Sequence, residues 1–250
     1  MKRNYKNPPI IEAICELTFK SSQKWDWTIP GLFYKEVKSK FPKKREKKSL
    51  EFQLHTGQEE IEQKFKGGIA LMQFLNNDET ALLQVGPDKL AANMLKPYLN
   101  WESFRQMIHD AFYIYKQIAE PEDVTRIGLR YINRIDTNHE RVETDDYLTA
   151  VPQVPDQIPQ VFSRWVQRVE IPFEDVGGLL ILHTGSIHEN EKMNVSFLLD
   201  LDFVSLDQKF VDLNSALEWI ETAHAMIERS FEACITDKTR NLFQEVVQDG

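Results

Sequence analysis

Two carboxylates stand one residue apart in this sequence, at Asp200 and Asp202. Side chains alternate between the two faces of a β-strand, so both would lie on one face at a spacing that could share a divalent cation. Glu170, on an earlier predicted strand, would supply a third oxygen ligand. The competing interpretation is a set of salt bridges with Arg164 and Arg168, and the sequence leaves both open.

No motif in the sequence predicts a particular catalytic reaction. The six histidines show neither HExxH nor Cys/His metal spacing, and GxSxG, Walker A and GxGxxG patterns do not occur. His183 and His188 flank a predicted turn at Gly185, and His109 and His224 occupy similar places in two predicted long helices. A Ser/His/Asp set brought together only by folding stays open. We expect no cofactor, and the pattern favours a protein that is not an enzyme.

Hydrophobic periodicity predicts the elements that must position these residues. In the first half it predicts a strand at Ile10–Phe19, a helix from Pro30 to about Lys40, strands at Leu50–His55, Ile69–Leu75, Ala81–Val85 and Leu90–Leu95, a turn at Gly67-Gly68, and a helix at Trp101–Ile118. In the second half it predicts strands at Ile127–Ile135, Trp165–Ile171, Leu179–Thr184 and Val195–Val204, a short helix near Tyr147–Val151 or Pro159–Phe162, and a long helix at Ser215–Ile235.

The same order of elements therefore occurs twice, as β-α-β(3–4)-α in residues 1–122 and again in residues 123–250. This order resembles the pseudo-dimeric architecture of TATA-box-binding-protein-like folds. The resemblance implies an α+β protein in which the first strands of the two halves meet at the centre of one curved antiparallel sheet and the long helices cover one face. The alternative is two separate α+β domains joined near Glu120–Thr125.

Alternation also predicts a charged sheet face. In the second half Arg126, Arg130 and Arg134 share one side of a strand whose other side is apolar. In the first half Glu12 and Glu16 hold the equivalent position, and if the two opening strands are neighbours these carboxylates stand near the arginines. Together with Arg164 and Arg168 these residues form either a self-neutralising solvated face or a face that docks a charged partner.

The formal net charge is −9, which disfavours general binding to phosphate backbones. Residues 35–48 carry eight basic and two acidic side chains, a net of +6, so the rest of the chain carries −15. This basic segment predicts either a solvated helix end and loop, or one local nucleic-acid or acidic-partner contact through Lys43, Lys44, Arg45, Lys47 and Lys48.

The sequence predicts the cellular location of the protein, because it shows neither a membrane-span pattern nor a signal-peptide pattern. No apolar run approaches the ~18 residues of a membrane span, and the N-terminus lacks the apolar region of a signal peptide. Cys15 and Cys234 both lie in apolar surroundings, which favours free buried thiols over a disulfide. We expect a cytoplasmic protein that does not bind membranes.

Three segments resemble signature stretches of an uncharacterised, sporadically distributed prokaryotic family of about this length: NPPIIEAICELTF (residues 7–19), RIGLRYINRID (residues 126–136) and ITDKTRNLF (residues 235–243). The resemblance implies no established activity, and a patchy distribution is typical of phage-defence and mobile-element genes. The sequence thus favours a non-catalytic binding or accessory module that docks a protein or nucleic-acid partner, or a second copy of itself, through the charged face. The alternatives are a metal-dependent, nuclease-like enzyme that uses Asp200, Asp202 and Glu170, and a small-ligand binder with a cavity between helices and sheet.

Overall fold

The computed structural model describes residues 3–21, 24–56, 61–187, 194–206 and 212–246, and for residues 48–56 and 61–70 it describes the backbone alone. Within these residues the chain forms nine β-strands and four α-helices, so the predicted α+β class is confirmed. The strands are β1 (Ile10–Lys20), β2 (Lys43–Thr56), β3 (Ile61–Leu75), β4 (Ala81–Gly86), β5 (Lys89–Leu95), β6 (Asp123–Asp136), β7 (Val166–Phe173), β8 (Gly178–Ile187) and β9 (Ser196–Ser205).

All nine strands belong to one antiparallel sheet with the order β2-β3-β4-β5-β1-β6-β9-β8-β7. The two strands that open the predicted halves, β1 and β6, are therefore neighbours at the centre, with Cys15 opposite Leu129. The sheet is continuous through this pair, so the described elements do not divide into two separate sheets.

The helices are α1 (Ile29–Val37), α2 (Trp101–Ala119), α3 (Ala216–Cys234) and α4 (Asp237–Phe243). The backbone N–H of Ser103 donates to the side-chain oxygen of Asn100 at 2.8 Å, which fixes where α2 begins. The apolar stripe of α2 is buried at Phe104, Ile108 and Tyr115, as the helical spacing predicts.

Helices α2 and α3 pack against the apolar face of the sheet, α2 on β5 and α3 on β6 and β9. The residues of this face alternate with the charged ones, and Cys15, Leu129 and Phe203 are fully buried on it. Each large apolar side chain removed from water contributes about 1.5–3 kcal/mol to stability. No helix in the described part of the chain is long and apolar enough to cross a membrane.

Two predicted turns are wrong. Gly67 lies inside β3, where its backbone pairs with that of Leu50, and Gly185 lies inside β8. A Cβ at Gly185 would come within 3.0 Å of the carbonyl oxygen of Trp165, so this glycine marks a close approach of two strands. His188, the other residue placed at the Gly185 turn, lies outside the described residues.

The predictions for connecting segments also need correction. The short helix expected near Tyr147–Val151 or Pro159–Phe162 is absent from those described residues, and a single 3-10 turn at Thr144–Asp146 precedes them. Pro152 and Pro155, between these two ranges, and Pro159, at the start of the second, lack the N–H that a helix interior requires. The basic residues from Lys43 onward lie in β2 and not in a loop, and α4 was not predicted. Because β2 is an edge strand, its lysines suit a position where charge opposes pairing with other chains.

Candidate functional site

The sheet face away from α2 and α3 carries the predicted charged residues, and we call it the polar face. Glu12 and Glu16 of β1 lie on it beside Arg126 and Arg130 of β6. The carboxylate of Glu16 contacts two cations, with Arg126 Nη1 at 3.3 Å and Lys89 Nζ at 3.0 Å. The predicted proximity of acidic β1 and basic β6 side chains is confirmed for Glu16 and Arg126.

Arg130 pairs in the other direction, with Asp200 on β9. Its Nε and Nη2 donate to the two carboxylate oxygens at 2.8 and 2.6 Å, a bidentate arrangement. Asp200 is 3% exposed, and this hydrogen bonding raises the pKa of Arg130. Nδ1 of His183 on β8 lies 3.4 Å from Asp200 Oδ2, although it is not oriented as a hydrogen bond.

A ladder of side-chain amides continues the polar face toward β3. Gln73 donates to Gln84 at 2.9 Å, Gln84 donates to Asn93 at 2.8 Å, and Asn93 donates to Glu12 at 2.7 Å. Gln84 and Asn93 are 8% and 5% exposed, so these bonds satisfy polar groups that have little access to water. Together with Arg130, Asp200 and His183, the ladder forms a row of polar side chains across seven neighbouring strands.

Asp202 differs from the other charged residues of the polar face. It lies opposite Arg130 in the β6–β9 register, yet within the described part of the chain it makes no hydrogen bond or ion pair. Burial raises the pKa of Asp202, and the positive charges of Arg130 and Arg126 only partly oppose this shift.

The remaining predicted arginines lie toward the margins. Nε of Arg134 is 2.8 Å from Asp136, and Arg168 forms an ion pair with Glu170 on the same strand. Arg164 is exposed and precedes β7, so it does not belong to the strand face to which alternation assigned it. The polar face is therefore largely self-neutralised by pairs between its own residues.

The three carboxylates of the predicted metal site are spread across the sheet. Asp200 is held by Arg130, and Glu170 is paired with Arg168 on β7, two strands away from β9. Over residues 3–21, 24–56, 61–187, 194–206 and 212–246, no group of three or more His, Cys, Asp or Glu side chains is arranged to hold a metal ion.

The basic segment is also partly neutralised. Glu79 contacts both Lys43 and Arg45, at 3.0 and 3.2 Å, and Lys44 lies over the ring of Tyr34 with Nζ 4.6 Å from its centroid. Lys47 is exposed, and the side chain of Lys48 lies outside the described residues.

A second candidate site lies on the helical side of the sheet. A cavity of about 940 Å³ opens between the N-terminal segment, the beginning of α2 and one side of α3. Leu99 and Ala225 at its rim are exposed. The lining includes the sheet residues Tyr131, Asn133 and Leu201, the α2-side residues Tyr98 and Trp101, the α3 residues His224, Ile227 and Glu228, and the N-terminal residues Pro8, Pro9 and Ile10.

Three polar side chains form a connected chain along this cavity. The hydroxyl oxygens of Tyr98 and Tyr131 are 3.2 Å apart, and the Tyr131 oxygen is 3.4 Å from Nδ1 of His224. Nε2 of His224 lies 3.3 Å from Glu228 Oε1, in charge contact but without hydrogen-bond alignment. Burial raises the pKa values of Tyr98 and Tyr131, and the charge of Glu228 contributes in the same direction.

Packing across α2 and α3 fixes the His224 ring. Trp101 stacks on it with ring centroids 3.9 Å apart and planes inclined by 13°. The indole N–H of Trp101 donates to Glu221 on α3 at 3.2 Å, and Arg105 of α2 contacts the same carboxylate at 3.4 Å. The stacked pair is therefore held from both helices, and the imidazole has a defined orientation at the cavity wall.

The N-terminal segment forms another wall and is tied to the end of the chain. Tyr5 forms a bridge with Glu245, and its hydroxyl donates to Glu232 at 2.6 Å. Arg240 of α4 contacts the same Glu232 carboxylate at 2.9 Å. Helix α4, which the sequence did not predict, thus helps to hold the cavity closed on this side.

Sequence reasoning missed this site. Tyr131 belongs to the apolar side of its strand and His224 to a helical stripe, so both have the pattern of ordinary core residues. The only available signal in the sequence was that Tyr131 and His224 carry polar atoms at positions where the pattern requires apolar side chains.

No protein-family model matches this chain, and a search of curated proteins finds no significant match.

Proposed function

We propose that this chain is a non-catalytic binding protein that takes a small organic ligand in the cavity between α2, α3 and the sheet. The cavity of about 940 Å³, with a few polar groups converging among apolar and aromatic walls, carries the proposal. Ligand pockets of drug-sized molecules measure about 300–1,000 Å³ and have this composition.

The protonation of the nearby groups supports binding over catalysis. A catalytic acid, base or nucleophile needs a pKa close to the working pH. Burial instead raises the pKa values of Tyr98 and Tyr131, which are already high for a catalytic group. These groups keep their protons near neutral pH, which suits hydrogen bonding to a ligand.

A blocked cavity tests this function. Ala225 is exposed on α3 at the rim, so Ala225→Trp would fill part of the entrance without disturbing the core. Ala233 is exposed on the same helix but does not line the cavity, so Ala233→Trp is the matched control. The neutral fluorophore N-phenyl-1-naphthylamine should bind wild type with a saturable fluorescence increase. We expect affinity about tenfold lower, or 1.4 kcal/mol, in Ala225→Trp and no change in Ala233→Trp.

Equal binding of the fluorophore by both variants, or no saturable binding to the wild type, would rule out the cavity as the ligand site. Native mass spectrometry of protein purified from its own host gives an independent measurement. A small co-purifying mass should be present in the wild type and lost in Ala225→Trp.

We also propose that residues 1–122 and 123–250 are duplicated halves of a TATA-box-binding-protein-like sheet. The central pairing of β1 with β6 and the equal lengths of α2 and α3, 19 residues each, support this. The second half has no counterpart of α1 among its described residues. Membership of the sporadically distributed family, a role in phage defence and a cytoplasmic location stay predictions.

Docking of a partner on the polar face is the second candidate function. It is supported by the unpaired Asp202 and by Arg126 and Arg130, whose side chains remain 39% and 38% exposed. The double variant Arg130→Gln with Arg134→Gln tests whether the polar face only neutralises itself or docks a partner. A self-neutralising face predicts lower stability with partner capture intact, whereas a docking face predicts loss of capture. The capture experiment should distinguish three kinds of partner: another protein, a second copy of this chain, and nucleic acid bound at the basic segment.

The metal-dependent reaction stays a prediction with a direct test. Titration with Mg²⁺ or Mn²⁺ should raise the melting temperature of the wild type if Asp200, Asp202 and Glu170 bind a metal, and Asp200→Asn should abolish the shift. No shift in the wild type would remove this alternative.

A further inference from the structure

We propose that the edge strand β7 pairs with β7 of a second copy of this chain, so that two nine-stranded sheets join into one antiparallel sheet. A two-fold axis at Val169 relates the two strands. This inference concerns the edge of the sheet and is independent of the cavity and its ligand. It follows from the direction of the backbone groups in β7, from the order of its charged side chains and from its exposure.

Strand β7 is the last strand of the described sheet, with β8 on one side of it and no other described strand on the other side. Val166 is 75% exposed, and four further residues of the strand are exposed: Arg168, Glu170, Ile171 and Pro172. A strand with a free edge presents a row of unpaired N–H and C=O groups to another chain. The edge at β7 is therefore open to a second strand.

The two edges of the sheet differ in charge. The other edge strand, β2, begins with five basic side chains among its first six residues, so two copies of it would repel each other. Strand β7 carries one positive and one negative side chain, Arg168 and Glu170, and has no net charge. Pairing of identical strands is therefore favoured at β7 and opposed at β2.

The backbone of β7 directs alternate residues to the open edge. The N–H of Ser186 donates to the C=O of Trp165 at 3.1 Å, so Trp165 directs its carbonyl toward β8. Because residues in an antiparallel ladder alternate in this respect, the backbone groups of even-numbered residues from 166 onward point away from β8. Pro172 is one of these residues, and its missing N–H therefore breaks no bond to β8.

These outward residues are self-complementary about Val169. In an antiparallel pair with its axis at Val169, Arg168 of each copy lies opposite Glu170 of the other, and the two exchange backbone hydrogen bonds. The N–H of Val166 then meets the C=O of Pro172. Arg168 and Glu170 already form an ion pair within one chain. In the dimer the same charges also attract each other across the two strands.

The order of the charges selects this register. A shift by one residue would place outward backbone groups opposite inward ones, so the strands could not bond. A shift of the axis by one residue position, to Arg168 or to Glu170, keeps the bonding but places two arginines or two glutamates opposite each other. Like charges directly opposite each other are destabilising. The axis at Val169 is therefore the one that combines backbone bonding with opposite charges.

A disulfide across the axis tests the register. The two copies of Val169 form a non-hydrogen-bonded pair with Cα atoms about 4.5 Å apart, a distance that a disulfide spans. We expect Val169→Cys to form a covalent dimer under mild oxidation. Ile171→Cys is the matched control, because its two thiols would lie four residues apart along the ladder, about 13 Å. Cys15 and Cys234 are buried, so the wild type should stay uncross-linked.

Charge variants test the complementarity by sedimentation velocity over about a hundredfold range of protein concentration. We expect wild type to dimerise at the upper end, since a strand pair is a small interface. Arg168→Glu and Glu170→Arg each place like charges opposite each other, so each should weaken association at least about tenfold. A mixture of the two variants restores opposite charges in every pair and should associate as the wild type does. Melting curves verify that each variant is folded.

Three outcomes would overturn the proposal: a wild type that stays monomeric at all concentrations, equal cross-linking of Val169→Cys and Ile171→Cys, or a mixture of the charge variants that does not associate. Association that persists unchanged in Arg168→Glu would overturn it too, because the copies would then meet at another surface. None of these outcomes affects the cavity, whose occupation Ala225→Trp tests separately.

Discussion

Arg130 on β6 binds both carboxylate oxygens of Asp200 on the neighbouring strand β9, with Nε 2.8 Å from Oδ1 and Nη2 2.6 Å from Oδ2. The two ends of the pair differ in exposure, since the Asp200 side chain is 5% exposed and that of Arg130 is 38% exposed. Removal of the arginine would therefore leave a carboxylate with almost no access to water. A buried charge without a partner costs several kcal/mol. The loss of stability on removing Arg130 should therefore come mainly from the unpaired Asp200 carboxylate, and less from the lost attraction between the two charges.

Arg130→Gln should lower the free energy of unfolding by about 2–3 kcal/mol, somewhat less than the loss of a fully buried pair because water reaches the arginine side. The matched control is Arg168→Gln, since Arg168 and Glu170 are about half exposed. The control should cost less than about 1 kcal/mol. Chemical denaturation followed by circular dichroism measures both, and similar losses would contradict the distinction between the pairs.

The amide ladder predicts a graded series. Asn93→Leu would leave the Gln84 amide without its acceptor and the Glu12 carboxylate without its donor, so we expect a loss of about 2 kcal/mol or more. Gln73→Leu, at the outer end of the ladder, breaks one hydrogen bond and should cost about 1 kcal/mol. Chemical denaturation measures both losses of stability. A larger loss for Gln73→Leu than for Asn93→Leu would contradict the predicted order.

The polar face could be predicted from sequence because charged and apolar residues alternate in β1, β6 and β9. Alternation assigns each side chain to a face, but it does not specify the register between strands. A shift of two residues keeps the faces and changes every pair. The pattern therefore anticipated the contact between Glu16 and Arg126, but not that Arg130 would pair with Asp200 on its other neighbour.

The cavity could not be predicted in this way. Its position depends on how far α2 and α3 lie from each other and from the sheet, which are three-dimensional quantities that no periodicity encodes. Tyr131 occupies a position where alternation requires an apolar residue, and a tyrosine satisfies that requirement with its ring. Only the structure shows that its hydroxyl meets Tyr98 and His224 at the edge of an open space.

Asp202 predicts a dependence of stability on pH. Burial raises its pKa in the folded protein above the ordinary value of 3.8, so the folded state binds this proton more tightly than the unfolded state. Stability from this group is therefore greatest below the ordinary value and falls as pH rises through the raised folded value. At neutral pH the ionised carboxylate is a net cost to the fold.

Asp202→Asn should accordingly raise the melting temperature at neutral pH, and the gain over wild type should shrink as pH falls toward 3.8. Glu174→Gln is the control, because Glu174 is an exposed carboxylate in the turn between β7 and β8. Melting curves of the two variants and the wild type at several pH values give the comparison. A gain that grows on acidification would contradict the assigned direction of the pKa shift.

Two glycines offer a test of the packing behind the polar face. A Cβ at Gly178, the first residue of β8, would fall well inside the van der Waals radius of the Phe203 ring, which is fully buried and packed against Phe173 and Trp219. Because this ring cannot move away, Gly178→Ala should lower stability by about 1–3 kcal/mol. Gly31 in α1 has no atom within 4 Å of an added Cβ, so Gly31→Ala should instead raise stability by about 0.4–1 kcal/mol. If the denaturation midpoints of both variants moved in the same direction, the Phe203 ring would have enough space to move away from an added Cβ, and the predicted clash would be wrong.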